Sequence, residues 1–446
     1  MTSDSPRRPR VVITGMGWVT PMGHSLETVW AAMLAGGSGA NITTQFDAST
    51  FSTRFSAEVK NYHLRVDAPD FVPGAPLARR IEFLLGATAQ AWKQAGLDHS
   101  PAVNRDRVGI YVANGEGPLD FVPFTRTCLA AWNAERGALD ADRWGAAAVK
   151  DLDADRELEQ EPAMALGHVA RLTGARGIAF NTITACAAST QAIGEAAEFL
   201  RHGDADVMLA GGSSGMINPF GVTGFARLTT LSKRNDSPTT ASRPFDATRD
   251  GFVIGEGSGM VVLETLEHAT QRGAPIFAEL AGYGSTADAF RITDQHPESL
   301  GCIDAMRRAL ASAGVAPEEI DYLNAHGTST RENDTHETEA IHAVFGEHAR
   351  RLPVSSLKSM TGHLITAAGV VEMIASVLAI RDQMLPPTIN LQNPDPLCDL
   401  DYVPNKARPA KVEIVLTNNL GFGGQNDALV LRRYVASETT ATRRTA

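Results

Sequence analysis

A strand, a cysteine and an apolar helix follow one another between residues 177 and 203, and this stretch limits the possible folds most. The apolar run at 177–180 continues into alternating residues at 182–184, a pattern that predicts a buried strand. Apolar residues then recur at helical spacing as far as Leu200, and Gly203 ends the helix. Cys186 therefore lies at the first turn of a helix, where free N–H groups and the helix dipole lower the pKa of a thiol. A buried cysteine is also a common core residue, so this turn alone leaves a nucleophile and a packing role both open.

The composition is that of a globular protein and argues against several classes of function. The 446 residues, 43% of them hydrophobic and 20% charged, suffice for two or three domain-sized cores. A net charge of −11 argues against nucleic acid as a partner, and the sequence contains no long apolar run that predicts a membrane span. The four cysteines show no CxxC spacing, so we expect reduced thiols in a cytoplasmic protein.

Strands and helices alternate along the chain, and the pattern starts again near residue 270. Each half contains a strand, then a reactive residue (Cys186 or His363), then an apolar helix. We therefore predict α/β layers and an internal duplication, with one unit at 1–268 that carries the cysteine and a second at 269–446. The predicted helices lie at about 26–35, 80–95, 301–314 and 363–381, and the predicted strands include 108–113, 206–213, 260–264, 277–282, 322–325, 412–416 and 428–431.

Three other stretches have less specific patterns. Gly15 and Gly17 resemble half of a dinucleotide fingerprint, but Thr20 replaces its third glycine, so a nicotinamide site is not expected. Residues 116–165 are hard to assign, and the acid-rich run at 150–161 predicts a solvated helix or a flexible excursion. The tail at 436–446 has the composition of a disordered segment.

Two histidines beside glycine turns are candidates for chemistry together with Cys186. His326 directly follows a predicted strand in Asn-Ala-His-Gly-Thr-Ser-Thr, and His363 ends the run Ser-Ser-Leu-Lys-Ser-Met-Thr-Gly-His before an apolar helix. The helix N-terminus disfavours protonation of His363, so a neutral imidazole is expected there. The Gly-Phe-Gly-Gly turn at 421–424 can present bare N–H groups to an oxyanion. No metal is expected, since the two histidines are 37 residues apart without a nearby ligand pair and His336 begins HExxA rather than HExxH.

Together these motifs resemble the elongating β-ketoacyl-acyl-carrier-protein synthases. Thr-Ala-Cys-Ala-Ala-Ser-Thr around Cys186, the two histidine motifs and the 421–424 turn stand in the same order and at similar spacing. Similarity covers about residues 8–434, and the segments at 333–338 and 398–404 are also similar to ketosynthases of type II polyketide systems. The resemblance implies the thiolase fold, with two similar halves in five layers α-β-α-β-α, and a homodimer.

The resemblance also implies a role for each site residue. Cys186 would accept an acyl group from the 4′-phosphopantetheine of an acyl carrier protein, so no separate cofactor is expected. His326 and His363 would donate hydrogen bonds to the malonyl thioester oxygen as the enolate forms. The N–H groups of Cys186 and Phe422 would form a second oxyanion hole, and the Phe422 ring would act as a gate. Lys358 would pair with Glu372.

Binding residues follow from the same resemblance. Thr328 and Thr330 would contact the pantetheine arm. Arg79, Arg80 and Arg234 are candidates for the acidic surface of the carrier, and scattered solvated charges are the alternative.

Some features leave the substrate and the function open. Glu116 stands near where fatty-acid enzymes have an apolar residue at the far end of the acyl pocket, and the 116–165 excursion has its own sequence. The alternatives are a ketosynthase of a type II polyketide or specialised lipid pathway and a non-catalytic chain-length partner subunit, although such subunits lack the nucleophile. A degradative thiolase would need a second cysteine in the final glycine loop, and an initiating synthase would carry Asn in place of His363.

Overall fold

One mixed β-sheet forms the framework of the protein. The computed structural model describes residues 8–98, 103–115 and 120–436, and in these ranges the sheet has ten strands. In chain order they are β1 Val11–Val19, β2 Val108–Asn114, β3 Ala179–Thr182, β4 Val207–Ser214, β5 Gly257–Thr265, β6 Ala278–Ala287, β7 Tyr322–Asn324, β8 Val354–Ser355, β9 Ile414–Gly421 and β10 Gln425–Arg432. The tail prediction, apart from residue 436, and the expectation for Glu116 lie outside the described residues.

The strand order of the first half repeats in the second half. From the middle of the sheet outward, the first half reads β1-β5-β4-β2-β3 and the second reads β6-β10-β9-β7-β8. In each half the two outermost pairs of neighbouring strands are parallel, and the next pair toward the middle of the sheet is antiparallel. The halves join where β1 and β6 pair antiparallel, with Val12 opposite Glu279. This repeat agrees with a duplication, and the division of the chain at 268 and 269 stays a prediction.

Helices lie between and outside the two halves of the sheet. They are α1 Leu26–Leu34, α2 Arg79–Gln94, α3 Phe121–Ala131, α4 Ala141–Asp151, α5 Ala154–Leu158, α6 Met164–Thr173, α7 Ala188–His202, α8 Pro219–Arg227, α9 Leu266–Gln271, α10 Leu300–Ala313, α11 Arg331–Phe345, α12 Lys358–Thr361 and α13 Ala368–Asp382. Within the described ranges, none of these helices has the length and apolar character required to cross a bilayer.

The helices α7 and α13 form a central layer. Helix α13 is buried from Ala368 to Ile380 and is apolar there apart from Glu372 and Ser376, as expected of a helix enclosed by other elements. Successive strand residues face different layers, since Val261 and Leu263 pack with the α7 and α13 side chains whereas Val262 packs with α2 and α6. Helices α10 and α11 cover the outer face of the second half in the same way. The prediction of an α/β thiolase fold in five layers is therefore confirmed.

Several local predictions need correction. Strand β3 is not buried but lies at the edge of the sheet, and Phe180 and Ile183 are about half exposed. Helix α13 begins at Ala368 rather than at His363, because the intervening residues form a turn. The sequence pattern does not predict helix α11, because many of its residues are polar. One face of this helix, which includes Glu337, is nevertheless buried. The acid-rich run at 150–161 is mostly solvated as predicted, because α4 and α5 bury no residue, but Glu159 is buried and contacts His168.

The two glycines of the incomplete fingerprint allow a close approach of β1 to α2. A Cβ atom added to Gly17 would lie 2.2 Å from the carbonyl oxygen of Ala87, and one added to Gly15 would lie 2.2 Å from that of Ala91. Both glycines therefore serve packing between a strand and a helix.

Replacement of Gly17 by Ala should destabilise the protein, because backbone atoms of α2 would have to move. Overpacking of this kind costs about 1–3 kcal/mol. The midpoint of thermal unfolding should fall. Gly167→Ala in α6 is the matched control, since an added Cβ there meets nothing within 4 Å and alanine favours a helix by about 1 kcal/mol. Equal midpoints for the two variants would contradict this account.

Candidate active site

Cys186 lies on a strained turn that the second half of the protein repeats. Ala185 has φ +48°, and the short 3-10 helix Ala185–Ala187 leads directly into α7. In the second half Ile365 has φ +48°, and a 3-10 helix of the same length leads into α13. A positive φ at a branched or bulky residue is rare and persists where surrounding structure enforces it. The turn therefore positions Cys186, as predicted, at the start of the central helical layer.

Three side chains converge from the two halves. His363 Nε2 lies 3.0 Å from Cys186 Sγ, although the residues are 177 positions apart. His326 follows β7, and its ring centroid lies 5.4 Å from that of His363 with the planes at 85°. One ligand atom of each of the three residues lies within 4.8 Å of the others. The structure thus brings together the candidate nucleophile Cys186 and both of the histidines that the sequence indicates.

Hydrogen bonds to the Nδ1 atoms define the tautomers of both rings. The backbone N–H of Ile365 donates to His363 Nδ1 over 3.2 Å. Asn419 Nδ2 donates to Glu372 Oε2 over 2.7 Å, which orients this amide so that its second hydrogen points to His326 Nδ1 at 3.4 Å. Each Nδ1 is therefore an acceptor, and each Nε2 carries the proton.

These tautomers also decide how well the cluster suits a metal ion. The spacing of the cysteine and the histidines is close enough for a metal. A metal ligand needs a lone pair, however, and the donors at Nδ1 keep Nε2 protonated. The arrangement favours hydrogen-bond donation to a substrate oxygen, and the expectation of no metal stays a prediction.

Burial controls the charges at the site. It lowers the pKa of His326 and of His363 well below the ordinary value, and the nearby Lys358 lowers both further. Both rings are therefore neutral near pH 7, as expected for His363. The same burial raises the pKa of the Cys186 thiol to about 12, against the effects of Lys358 and of the N–H groups of Phe422 and Cys186 itself. The prediction of a lowered thiol pKa is wrong because desolvation outweighs the helix terminus.

Lys358 and Glu372 form a buried ion pair behind the histidines. Both side chains are nearly inaccessible, and Lys358 Nζ donates to Glu372 Oε1. Glu372 Oε2 accepts from Asn419, so the carboxylate is held at both oxygens. The pair fixes a positive charge near Cys186 and keeps its counter-charge away from solvent.

Sequence reasoning missed the residues that hold His326. Glu337 of α11 accepts the backbone N–H groups of His326 and Gly327, each over 2.7 Å. Asn418 donates to the same carboxylate over 2.8 Å, and the adjacent Asn419 orients the ring itself. Two consecutive asparagines in the otherwise apolar strand before Gly421 were the available signal, because a central strand rarely carries amides without a purpose.

A cavity of about 610 Å³ connects the site to exposed residues such as Arg331. Its inner wall carries Cys186, both histidines and Phe422, and its outer part carries Thr328 and Thr330, whose hydroxyl groups lie 2.9 Å apart. The predicted residues Cys186, His326, His363, Phe422, Thr328 and Thr330 therefore share one cavity, whereas Lys358 and the three predicted arginines do not line it.

The glycine loop closes over the sulfur. A Cβ added to Gly421 would lie 2.8 Å from the carbonyl oxygen of Thr184, so only glycine lets the loop approach the turn this closely. The Phe422 N–H then reaches the thiol, as does the N–H of Cys186. Two backbone donors thus lie close to the sulfur, an arrangement that suits an oxyanion hole.

The arginines predicted to meet a carrier protein have other contacts. Arg80 is 2% exposed, so its prediction is wrong. Arg79 donates to Glu256 over 2.7 Å and to the Val59 carbonyl, and Arg234 donates to the Thr248 carbonyl. These contacts leave the guanidinium groups engaged within the protein.

Comparisons with known proteins agree with this geometry. Residues 8–269 match the family "Beta-ketoacyl synthase, N-terminal domain", and residues 277–392 match "Beta-ketoacyl synthase, C-terminal domain". The chain is 43% identical over 428 residues to the 3-oxoacyl-[acyl-carrier-protein] synthase 2 of Coxiella burnetii, covering 95% of this chain and 98% of that protein. It is 42% identical to the protein of the same name from Synechocystis over 96% of this chain and 99% of that protein.

Solved structures are similar over the same length. A β-ketoacyl synthase from Burkholderia phymatum superposes with a TM-score of 0.85 at 33% identity, covering 96% of this chain and all of that one. A type II PKS ketosynthase, in complex with its acyl-carrier protein and bound to the hexaketide, has a TM-score of 0.84 at 34% identity with the same coverage.

The raised thiol pKa predicts how Cys186 reacts with iodoacetamide in the free protein. Below a pKa of about 12 the thiolate fraction grows tenfold per pH unit, so labelling of Cys186 should keep rising to about pH 10. Mass spectrometry of the peptide that contains Cys186 measures the rate. A cysteine peptide in the same buffers should level off above about pH 8.5. Levelling of the Cys186 rate below about pH 8 would show that its pKa is not raised.

Proposed function

The chain belongs to the β-ketoacyl synthase family, and from this premise we propose that it is a β-ketoacyl-[acyl-carrier-protein] synthase that elongates acyl chains by condensation with malonyl groups. One observation carries the proposal. A thiol and two neutral imidazoles from different halves converge within 4.8 Å at the bottom of a cavity of about 610 Å³. This set of groups suits acyl transfer to sulfur followed by stabilisation of an enolate.

In the first half-reaction Cys186 attacks the thioester of an acyl carrier protein. The attacking species is the thiolate, a minor form stabilised by Lys358 and by the N–H groups of Cys186 and Phe422. The same N–H groups then hold the oxyanion of the tetrahedral intermediate. The bond from carbon to the pantetheine sulfur breaks, and the departing thiolate takes up the proton that Cys186 lost. The result is an acyl-cysteine and a free carrier.

In the second half-reaction a malonyl thioester occupies the same cavity. Its bond to the carboxylate breaks, carbon dioxide leaves, and the electron pair forms an enolate. The Nε2–H groups of His326 and His363 donate to the enolate oxygen, which is the role that their tautomers favour. The enolate carbon then attacks the acyl-cysteine carbonyl, and the thiolate of Cys186 leaves as the β-ketoacyl product forms.

The outer cavity suits the 4′-phosphopantetheine arm that carries both substrates, so the proposal includes no separate cofactor. Thr328 and Thr330 offer hydroxyl groups to the amides of the arm, and the half-buried ring of Phe422 gates the passage between the two half-reactions. Exposed basic residues close to the mouth are suited to an acidic carrier surface. They are Arg227, Lys233 and Arg331.

Fatty acid elongation is the favoured pathway, because identity to the 3-oxoacyl-[acyl-carrier-protein] synthases, at 42–43%, exceeds the 34% identity to the type II PKS ketosynthase. A ketosynthase of a type II polyketide or specialised lipid pathway is the second candidate. The presence of Cys186, His326 and His363 argues against a non-catalytic chain-length subunit. All four cysteines are free thiols, which supports the proposed location in the cytoplasm.

A homodimer built on β3 completes the proposal. This edge strand has exposed or half-buried residues throughout, and the Phe180 ring stacks on Phe199 with centroids 5.2 Å apart and planes at 5°. Phe180 and Ile183, 44% and 53% exposed, form an apolar strip beside the edge. An exposed apolar edge strand is an aggregation hazard unless it is paired. Pairing with β3 of a second copy gives hydrogen-bond partners to the free N–H and C=O groups of this edge strand and buries the apolar strip.

Cys186→Ala should abolish condensation but retain decarboxylation of malonyl-carrier, because the histidines alone stabilise the enolate. His363→Ala should slow both reactions, by about 100-fold or more if the lost donor resembles one from an oxyanion hole. The assay mixes acyl-carrier with malonyl-carrier and measures carbon dioxide and β-ketoacyl-carrier separately. Equal condensation by wild type and Cys186→Ala would exclude the proposed reaction.

Phe180→Asp should convert the protein to monomers, because a charge would be buried in the proposed contact between two β3 strands. Light scattering coupled to size exclusion measures the mass. Val149→Asp, at an equally apolar position that is 90% exposed on α4, is the control and should leave the mass unchanged. A wild-type mass of one chain, about 47.5 kDa, would reject the homodimer.

A further inference from the structure

The segment 120–163, here called the helical excursion, has few apolar contacts that could hold it in place. Its helices α4 and α5 bury no residue, and α3 buries only Thr127 and Ala131. Val149 is 90% exposed. A bond of 2.8 Å from Arg156 to Asp120 ties the two ends of the excursion to each other. Phe121 and Phe124 of α3 pack edge-to-face on Phe220 of α8, with ring centroids 5.1 and 5.9 Å apart, so the α3 end has an apolar anchor and the end at 154–163 depends on polar contacts.

Arg80 supplies these contacts from the first turn of α2. Its Nη2 donates to the carbonyl oxygens of Glu159 and Gln160, both over 3.3 Å. Its Nε donates over 3.1 Å to Asn114 Oδ1 at the end of β2, and Asn114 Nδ2 donates to the Pro162 carbonyl over 3.2 Å. The Arg80 guanidinium and the Asn114 amide thus hold the C-terminal end of the excursion, because they donate to its main-chain carbonyl groups.

The same network continues to the catalytic turn. Ser213 Oγ donates to Asn114 Oδ1 over 3.0 Å, and Thr366 Oγ1 donates to the Ser213 carbonyl over 2.5 Å. Thr366 follows Ile365, whose N–H holds His363. Hydrogen bonds therefore connect the excursion, Arg80, the ends of β2 and β4, and the turn that positions a catalytic histidine.

Arg80 also supports the apolar wall beside the nucleophile. A Cβ added to Gly215 would lie 3.2 Å from Arg80 Cβ, so the two backbones are close. The next residues, Met216 and Ile217, pack in the same apolar cluster as Cys186. An acyl chain on the sulfur must enter an apolar region, and a shift of Arg80 would move one side of this region.

Stability does not explain an arginine at this position. Burial lowers the pKa of Arg80 to about 10, and the guanidinium still carries its charge at neutral pH. Its Nη1 has no partner among the described residues, and the Glu159 carboxylate is engaged with His168 at 2.9 Å. A well-packed apolar side chain is often as stable as a buried charge, so a positional role is the better explanation.

We propose that Arg80 is a positioning residue that sets the depth available to the acyl chain, because its backbone lies against the Gly215 loop that leads to Ile217 beside Cys186, while its guanidinium holds the end of the helical excursion. This inference rests on the proposed function. It assigns acyl-chain length selection to a buried polar network outside the catalytic set.

The test measures kcat/KM of wild type and Arg80→Met with hexanoyl-, dodecanoyl- and octadecanoyl-carrier as acyl donors. In the variant the ratio of the octadecanoyl to the hexanoyl value should rise about tenfold, since the wall is no longer held, while the hexanoyl value stays within about twofold. Hydrogen exchange should also become faster in the 154–163 peptide. A folded, active variant with an unchanged ratio would overturn the proposal.

Arg272→Met is the matched control. The Arg272 side chain is 6% exposed, and it donates to the Ala95 carbonyl over 2.8 Å and pairs with Glu264, with no hydrogen bond to the described part of the excursion. The Arg272→Met variant should be less stable than the wild type, but its ratio of octadecanoyl to hexanoyl kcat/KM should not change. A change in this ratio equal to that of Arg80→Met would refute a specific role for Arg80. If Arg80→Met does not fold, Arg80→Lys retains the charge but makes fewer bonds, and it should raise the ratio by about threefold. Absence of condensation in the wild type would instead reject the proposed function itself.

Discussion

The contact between His363 Nε2 and Cys186 Sγ depends on both halves of the protein at once. Each residue lies at a strained turn before a central helix, and α7 and α13 pack against each other between the two halves of the sheet. Pairing of β1 with β6 fixes the halves relative to one another. A shift of one half by a single strand position would separate the imidazole from the sulfur. The 3.0 Å contact between His363 Nε2 and Cys186 Sγ therefore depends on the whole five-layered arrangement.

Burial has opposite consequences for the two kinds of reactive group. It disfavours the imidazolium, which keeps His326 and His363 neutral and suited to donate through Nε2. It also disfavours the thiolate of Cys186, and this effect raises the pKa of the thiol. The positive charge of Lys358 opposes protonation of both imidazole rings and also favours the thiolate form of Cys186. Pairing with Glu372 makes this buried charge tolerable.

The polar networks that orient the site extend much further than the motifs themselves. Glu337 binds the backbone at His326, and Asn419 selects the tautomer of its ring. Arg80 and Asn114 connect the turn at Thr366 to a helical excursion that has little core of its own. Catalytic groups need supporting residues to hold them, and the supports of His326 are Glu337 of α11, 11 residues after it, and Asn419 of β9, 93 residues after it.

The sequence by itself determined the α/β layers, the repeated plan and the identity of the reactive residues, because period, glycine turns and motif spacing are local properties. Cys186, His326 and His363 were visible in this way, whereas the roles of Lys358 and Phe422 followed from the resemblance to the elongating synthases. Only the tertiary structure decided the sign of the Cys186 pKa shift, the burial of Arg80, the exposure of β3 and the roles of Glu337 and Asn419. Desolvation and hydrogen-bond partners depend on what surrounds a residue in space, and segments far apart in the chain supply those surroundings.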